Sequence, residues 1–179
     1  HVPLPGCVVV RSLTFFEHLT MSMKRYRVTP GRPFSWGDVR PDDRGDVKTE
    51  ADAFEKTEAH ILKLDPLQER LYAEGKRSLL IILQAIDTGG KDGTIRHVMR
   101  GINPQGCNVT SFKVPTPYER SHDFLWRIHN EVPAKGMIGI FNRSQYEDVL
   151  VTSVHREISR AEEKTRLSEI NAFERELVQ

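Results

Sequence analysis

At 179 residues, with 26 Lys and Arg against 25 Asp and Glu and a formal net charge of +1, the chain is long enough for one sizeable α/β core and short for two full domains. That near-neutral balance argues against a generally basic nucleic-acid binder, while leaving room for a local basic channel. Cys7 and Cys107, the two cysteines, make neither a disulfide framework nor a metal-ligand spacing, which points to a reducing cytoplasm, and no stretch approaches membrane-span length.

Residues 1–20 do not begin with methionine, and Val8-Val9-Val10 is too short and poorly flanked for a signal peptide. Met21 or Met23 reads as the natural start, and the segment before it as non-native or upstream sequence. Residues 24–46 are rich in proline, glycine and charge and read as an extended arm, with Phe34 and Trp36 packing on the domain or on a neighbouring subunit. A helix is expected over 49–63, carrying Ala53, Phe54, Ile61, Leu62 and Leu64. Pro66 should interrupt it, with Asp65 as N-cap and Pro66 as first residue of a second helix bearing Leu67 and Leu71. Gly75 ends that piece.

The most informative stretch is 79–94. Leu79-Leu80-Ile81-Ile82-Leu83 is a short unbroken apolar run, as in a strand buried on both faces of a parallel sheet. A glycine-rich turn follows, and then Ile95, Val98, Met99 and Ile102 recur at helical spacing, with Gly101 as the expected C-terminal glycine. Strand, glycine loop and a lysine at a helix N-terminus make the layout of a phosphate-binding loop. Unpaired amides and the positive end of the helix dipole suit phosphate oxygens. Gly89, Gly90 and Gly93 let the backbone wrap closely, and Lys91 adds a mobile charge. Two residues depart from GxxxxGK[ST]: Ala85 stands at the first glycine, and Asp92 at the hydroxyl residue that usually reaches magnesium. A carboxylate can replace that ligand, and Asp87 is the candidate. The competing reading is a strand–turn–helix junction with solvated charges.

Downstream, Asn103-Pro104-Gln105-Gly106 reads as a turn and 107–114 as a second strand. A helix over 119–132 should turn Phe124, Leu125 and Ile128 inward, with Asp123 and Arg127 as a surface ion pair. His122 and His129 have no convincing set of metal partners. The third strand, 137–141, runs into Asn142, Arg143, Glu147 and Asp148. In a doubly wound sheet, ligands sit beyond the C-terminal strand ends, so the clusters Asp87/Lys91 and Asn142/Arg143 are expected to converge on one crevice. Asn142 is neutral where an acid is usual, so metal binding leans on Asp87, or on Glu147 and Asp148. Arg143 suits bidentate contact with phosphate. Residues 149–154 form a strand or the first turns of a helix, and the remainder reads as an amphipathic helix through Ile158, Leu167, Ile170, Phe173 and Leu177.

These segments resemble the polyphosphate kinase 2 family: 71–76, 83–94, Gly101-Ile102-Asn103-Pro104-Gln105-Gly106-Cys107, 109–113, His122-Asp123-Phe124-Leu125-Trp126-Arg127, 138–150 and 170–174. The likeness runs from about residue 24 to the end. The Phe-Asn-Arg-Ser-x-Tyr-Glu form resembles members that phosphorylate nucleotides with polyphosphate, including a class accepting AMP and ADP. The resemblance implies an α/β parallel-sheet P-loop kinase fold similar to thymidylate kinase, with helices on both faces. It implies an arm over 1–46 and a phosphotransferase domain over 47–179, incomplete because the family continues with a strand, a basic lid and closing helices.

Also implied is magnesium-dependent phosphoryl transfer, with manganese as an alternative ion, between inorganic polyphosphate and AMP, ADP or ATP, with guanine nucleotides as further acceptors. Carried across, Gly89, Gly90, Lys91, Asp92, Gly93 and Thr94 hold phosphates. Asp87 binds the metal or orients the acceptor, Asn142 and Arg143 complete the second phosphate-facing motif, and Glu147 and Asp148 stand beside it. Lys113 is a further contact to nucleotide or polymer. A homodimer or homotetramer is expected in the cytoplasm, with no membrane and no nucleic acid as partner. Competing readings are an ATP-dependent kinase for a nucleotide or other small acceptor, and a non-catalytic polyanion-binding module. Nucleic-acid binding would favour a basic stripe interleaved with aromatics, whereas the charge here is scattered around one loop.

Overall fold

The computed structural model describes residues 8–10, 26–29, 31, 33, 35, 37, 40 and 42–178. The expectations for Cys7, Met21, Met23, Phe34 and Trp36 fall outside them. Two compact units are present: Ser12–His60, and His1–Arg11 together with Ile61–Gln179. In the first unit the best-defined feature is the start of helix α1 (Glu50–Glu74), where Thr49 Oγ1 accepts from Asp52 N at 3.1 Å and caps the first turn.

The second unit is built on a four-stranded sheet. Its strands are β1 (Val8–Val10), β2 (Leu79–Leu83), β3 (Cys107–Ser111) and β4 (Ile138–Asn142), in the order β1-β2-β4-β3. β2, β4 and β3 run parallel, as the α/β reading expects, while β1 adds an antiparallel edge beside β2. Leu83 and Ser111 both pair with Asn142, so the three parallel strands end level. Everything that follows those ends in sequence is thereby delivered to one edge of the sheet.

Alternation along the strands explains why both faces are covered. Leu79, Ile81 and Leu83 face Leu64 and Leu71 of α1 and Ile95 of α2 (Lys91–Val98), with Ile138 and Ile140 beside them. Leu80, Ile82 and Phe141 face the other way, against Ile128 of α4 (Trp126–His129), Val149 of α5 (Glu147–Val154), and Ile170 and Phe173 of α6 (Arg160–Glu176). Phe112 meets Phe141 edge-on at 4.9 Å in this second layer.

Four local expectations are corrected. α1 runs unbroken through Pro66. Proline costs it one backbone bond, but Ile61, Leu64, Gln68 and Leu71 lie along the packed side on both sides of that point. Gly101 has no left-handed φ; a Cβ there would lie 2.5 Å from Ile61 Cγ2, so the glycine permits close packing against α1.

The expected helix over 119–132 is two short ones, α3 (Pro117–Arg120) and α4. A Thr116/Glu119 capping box starts α3. The Tyr118 carbonyl then accepts from the Ser121 hydroxyl at 2.7 Å and pairs with His122 Nδ1 at 2.9 Å, which ends the helix, and Asp123 Oδ1 accepts from Leu125 N at 3.0 Å ahead of α4. Leu125 and Ile128 are buried, as expected. Finally, Arg127 pairs with Asp148 at 2.9 Å rather than with Asp123, and both side chains are largely buried.

Residues 149–154 resolve as helix. No helix among the described residues is long and apolar enough to cross a membrane.

Candidate phosphate-binding site

The site lies at the level strand ends. β2 leads into residues 84–90, and α2 begins at Lys91. Gly90 has φ +81° and offers no side chain to cap α2, so the first amides of the helix have no capping side chain. The turn before it is tight: Gly89 N donates to Ile86 O at 3.1 Å. A Cβ at Gly89 would lie 2.8 Å from Ala85 Cβ, so the alanine that departs from the usual motif packs directly on the glycine that follows. A Cβ at Gly93 would meet no protein atom within 4 Å, so open space lies beside the first turn of α2.

Lys91 folds back over the loop. Its Nζ donates to the carbonyls of Ala85 and Ile86, each at 2.9 Å. Both acceptors are neutral, and among the described residues Lys91 forms no ion pair, so its charge stays available to an anion. Thr94 returns its hydroxyl to Gly90 O at 3.0 Å. Asp92 accepts from Asn142 Nδ2 at 2.6 Å, which ties the first turn of α2 to the end of β4.

Arg143, the residue after β4, is held in the left-handed region at φ +67°, and Thr88 in the loop has φ +64°. Such conformations cost about 1–3 kcal/mol for residues other than glycine and gather at functional sites. The Arg143 backbone is fixed by its N–H to Leu83 O at 3.0 Å. Its guanidinium pairs through Nη2 with Asp87 Oδ1 and reaches Glu147 Oε2 through Nη1 at 3.5 Å. Asp87, Lys91, Asp92, Asn142, Arg143 and Glu147 therefore form one cluster, as the level strand ends dictate.

Two expected members stand elsewhere. Asp148 is committed to Arg127 and lines a cavity of about 460 Å³ with Arg127, His122, Glu162 and Arg166. Lys113 lines a cavity with Thr110, Trp126 and Glu131, and its carbonyl accepts from Arg127 at 2.7 Å. Two residues that sequence reasoning passed over join the cluster. Gln84 donates from Nε2 to Glu147 Oε1 at 2.6 Å, and its Oε1 accepts from Ser144 Oγ at 2.9 Å. A polar residue placed directly after a five-residue apolar strand was the available signal. His122 stacks on Trp126 at 4.1 Å, and His129 meets Phe173 edge-on.

The donor set suits a hard cation shared with a ligand. The Asp87 carboxylate is 82% exposed, and no group of three or more His, Cys, Asp or Glu among the described residues is placed to hold a metal alone. Magnesium usually takes one or two carboxylates together with water and substrate phosphates, in place of a closed protein cage. One exposed carboxylate beside uncapped amides fits that pattern.

The family model for Polyphosphate kinase 2 (PPK2) matches residues 47–179. The AMP/ADP-polyphosphate phosphotransferase of Meiothermus ruber is 47% identical over 156 residues, covering 87% of this chain and 58% of the relative. The ADP-polyphosphate phosphotransferase of Rhodopseudomonas palustris is 45% identical over 139 residues, 73% of this chain and 48% of that protein. Among solved structures, polyphosphate kinase 2 from Arthrobacter aurescens TC1 superposes with a TM-score of 0.79 at 48% identity, covering 84% of this chain and 54% of that one. The chain thus spans about half the length of the curated relatives it matches.

Proposed function

Because the chain belongs to the polyphosphate kinase 2 family, we propose that it carries the phosphate-holding site for moving a phosphoryl group between inorganic polyphosphate and AMP or ADP. The observation that carries this reading is the Arg143–Asp87 ion pair, which draws the end of β4 onto the phosphate loop after β2. Lys91, the amides opening α2 and Arg143 would then face one polyanion from two sides. The curated relatives named for AMP and ADP support the acceptor class.

The roles follow from charge. Two polyanions must be brought together in line, so the protein positions them and offsets their repulsion. Lys91 and the α2 amides hold the donor phosphates. Arg143 exchanges Asp87 for phosphate oxygens while Glu147 stays at its other nitrogen, and spreads positive charge over the transferring group. Asn142 fixes Asp92 at the opening of α2 by donating to its carboxylate. The acceptor oxygen is ionised near neutral pH, since the second phosphate ionisation lies near ~6, and no strong general base is needed. Asp87 is assigned to magnesium, or to manganese in its place; when bound, the ion neutralises charge on phosphate oxygens. A homodimer or homotetramer acting in the cytoplasm, with guanine nucleotides as further acceptors, completes the proposal.

The test mixes purified protein with magnesium, polyphosphate and AMP or ADP separately, and identifies the nucleotide formed. ADP from AMP, or ATP from ADP, is the expected product. Product formed from ATP as donor and never from polyphosphate would transfer the site to the ATP-dependent reading. Salt-sensitive RNA binding without any nucleotide product would favour the non-catalytic one.

A further inference from the structure

We propose that Gln84 is a positioning residue, through which the phosphate loop sets the orientation of Arg143 by way of Glu147. Its kinetic part rests on the phosphoryl-transfer reading above.

The geometry is a closed ring. Gln84 is the first residue past β2, and three residues later the same loop presents Asp87. Gln84 Nε2 donates to Glu147 Oε1 at 2.6 Å, the other Glu147 oxygen accepts from Arg143 Nη1 at 3.5 Å, and Arg143 Nη2 returns to Asp87 Oδ1. The loop therefore grips the guanidinium at both ends, directly through Asp87 and indirectly through Gln84 and Glu147. Of these two grips, Asp87 is largely exposed and Glu147 is only 16% exposed. The sheltered grip is the one that fixes an angle.

The amide of Gln84 can point only one way. Ser144 is fully buried, and its Oγ already accepts from Tyr146 N at 3.3 Å. Its hydroxyl proton is thus directed to Gln84 Oε1, at 2.9 Å. Flipping the amide would set its carbonyl oxygen against the Glu147 carboxylate, acceptor facing acceptor. Glutamate at this position would put two carboxylates within hydrogen-bond distance, and an aliphatic residue would leave the sheltered Glu147 oxygen without its donor. Glutamine alone among side chains of this length both donates to the acid and accepts from the hydroxyl. Ser144 and Glu147 lie 60 and 63 residues away in sequence, so the pairing ties together the two segments that the ion pair of Arg143 joins.

The experiment uses Gln84→Met, which keeps length and volume but cannot donate to Glu147 and accepts only weakly, with Ser144→Ala as the second variant in case the first does not fold. Two readouts are taken. The first needs no turnover: the rate at which phenylglyoxal modifies Arg143, followed by peptide mass spectrometry, should rise severalfold in Gln84→Met while the thermal midpoint stays close to wild type. The second is kinetic: kcat should fall about tenfold or more, with KM for the nucleotide little changed, since a partner that orients a charged group commonly costs 10–100-fold. In a Glu147→Gln background the Gln84→Met change should add little, because both act through one contact. Unchanged Arg143 reactivity in a folded variant overturns the inference, as does a kinetic loss fully additive with Glu147→Gln. If the wild-type protein transfers no phosphate from polyphosphate, the proposed function fails by itself, and Arg143 reactivity still decides whether Gln84 positions it.

Discussion

Arg143 and Lys91 show how differently two cations of one cluster can be held. Lys91 rests on neutral carbonyls, whereas Arg143 is neutralised by Asp87 and Glu147. Removing Asp87, the exposed partner of Arg143, should therefore do more than free an arginine. Asp87→Asn is expected to lower turnover on the order of 100-fold or more, as loss of a group that places charge at the reacting centre does, and to shift the magnesium dependence. Steady-state rates across a magnesium titration check this, and full turnover with unchanged dependence would remove Asp87 from the metal role. Asp148 makes a contrasting case. Its carboxylate is buried with Arg127, which also donates to Lys113 O and sits 5.5 Å over the Phe112 ring. Asp148→Ala leaves that guanidinium unpaired in the core and should destabilise the fold by about 3–5 kcal/mol, read from denaturant unfolding.

Among the elements, those legible in the sequence were the ones defined by short-range signals. The apolar run 79–83, the glycines after it and the turn at 103–106 each carry their own cause, and each stands where expected. What sequence could not give depended on partners far along the chain. α1 passes through Pro66 because a packed face holds it on both sides, and 119–132 splits because side chains at 118–123 take up the bonds a continuous helix needs.

The capping box of α3 gives a pH prediction. Donation from the Thr116 backbone N–H, and then from its hydroxyl, holds the Glu119 carboxyl below its usual value. A group whose folded value is lowered stabilises the fold at higher pH and loses that contribution as pH falls through its folded value. The α3 cap should thus persist at neutral pH and loosen below the ordinary carboxylate range. Thr116→Ala should move Glu119 back toward its usual value and cost about 1 kcal/mol, measured by NMR titration and thermal unfolding. Gly101→Ala probes the contact of α1 with the turn after α2. A Cβ 2.5 Å from Ile61 Cγ2 should cost about 1–3 kcal/mol by overpacking.

For the molecule as a whole, the decisive feature is that β2, β4 and β3 end level, with the glycine loop that leads to Lys91 and an arginine leaving adjacent ends. That the two strand-end clusters would meet was readable, because residues following adjacent parallel strands collect beyond their C-terminal ends. The tie between them was not, since Gln84, Ser144 and Glu147 look like ordinary polar residues until the sheet brings them together.

The most direct measurement is calorimetric titration of polyphosphate into the wild-type chain, Lys91→Ala, Arg143→Ala and the double variant. Two cations facing one polyanion predict that each single change weakens binding by roughly tenfold or more, as loss of a charge-assisted contact does, and that the double variant shows little binding. Affinity undiminished in Lys91→Ala or in Arg143→Ala would contradict a shared phosphate cradle at the ends of β2 and β4.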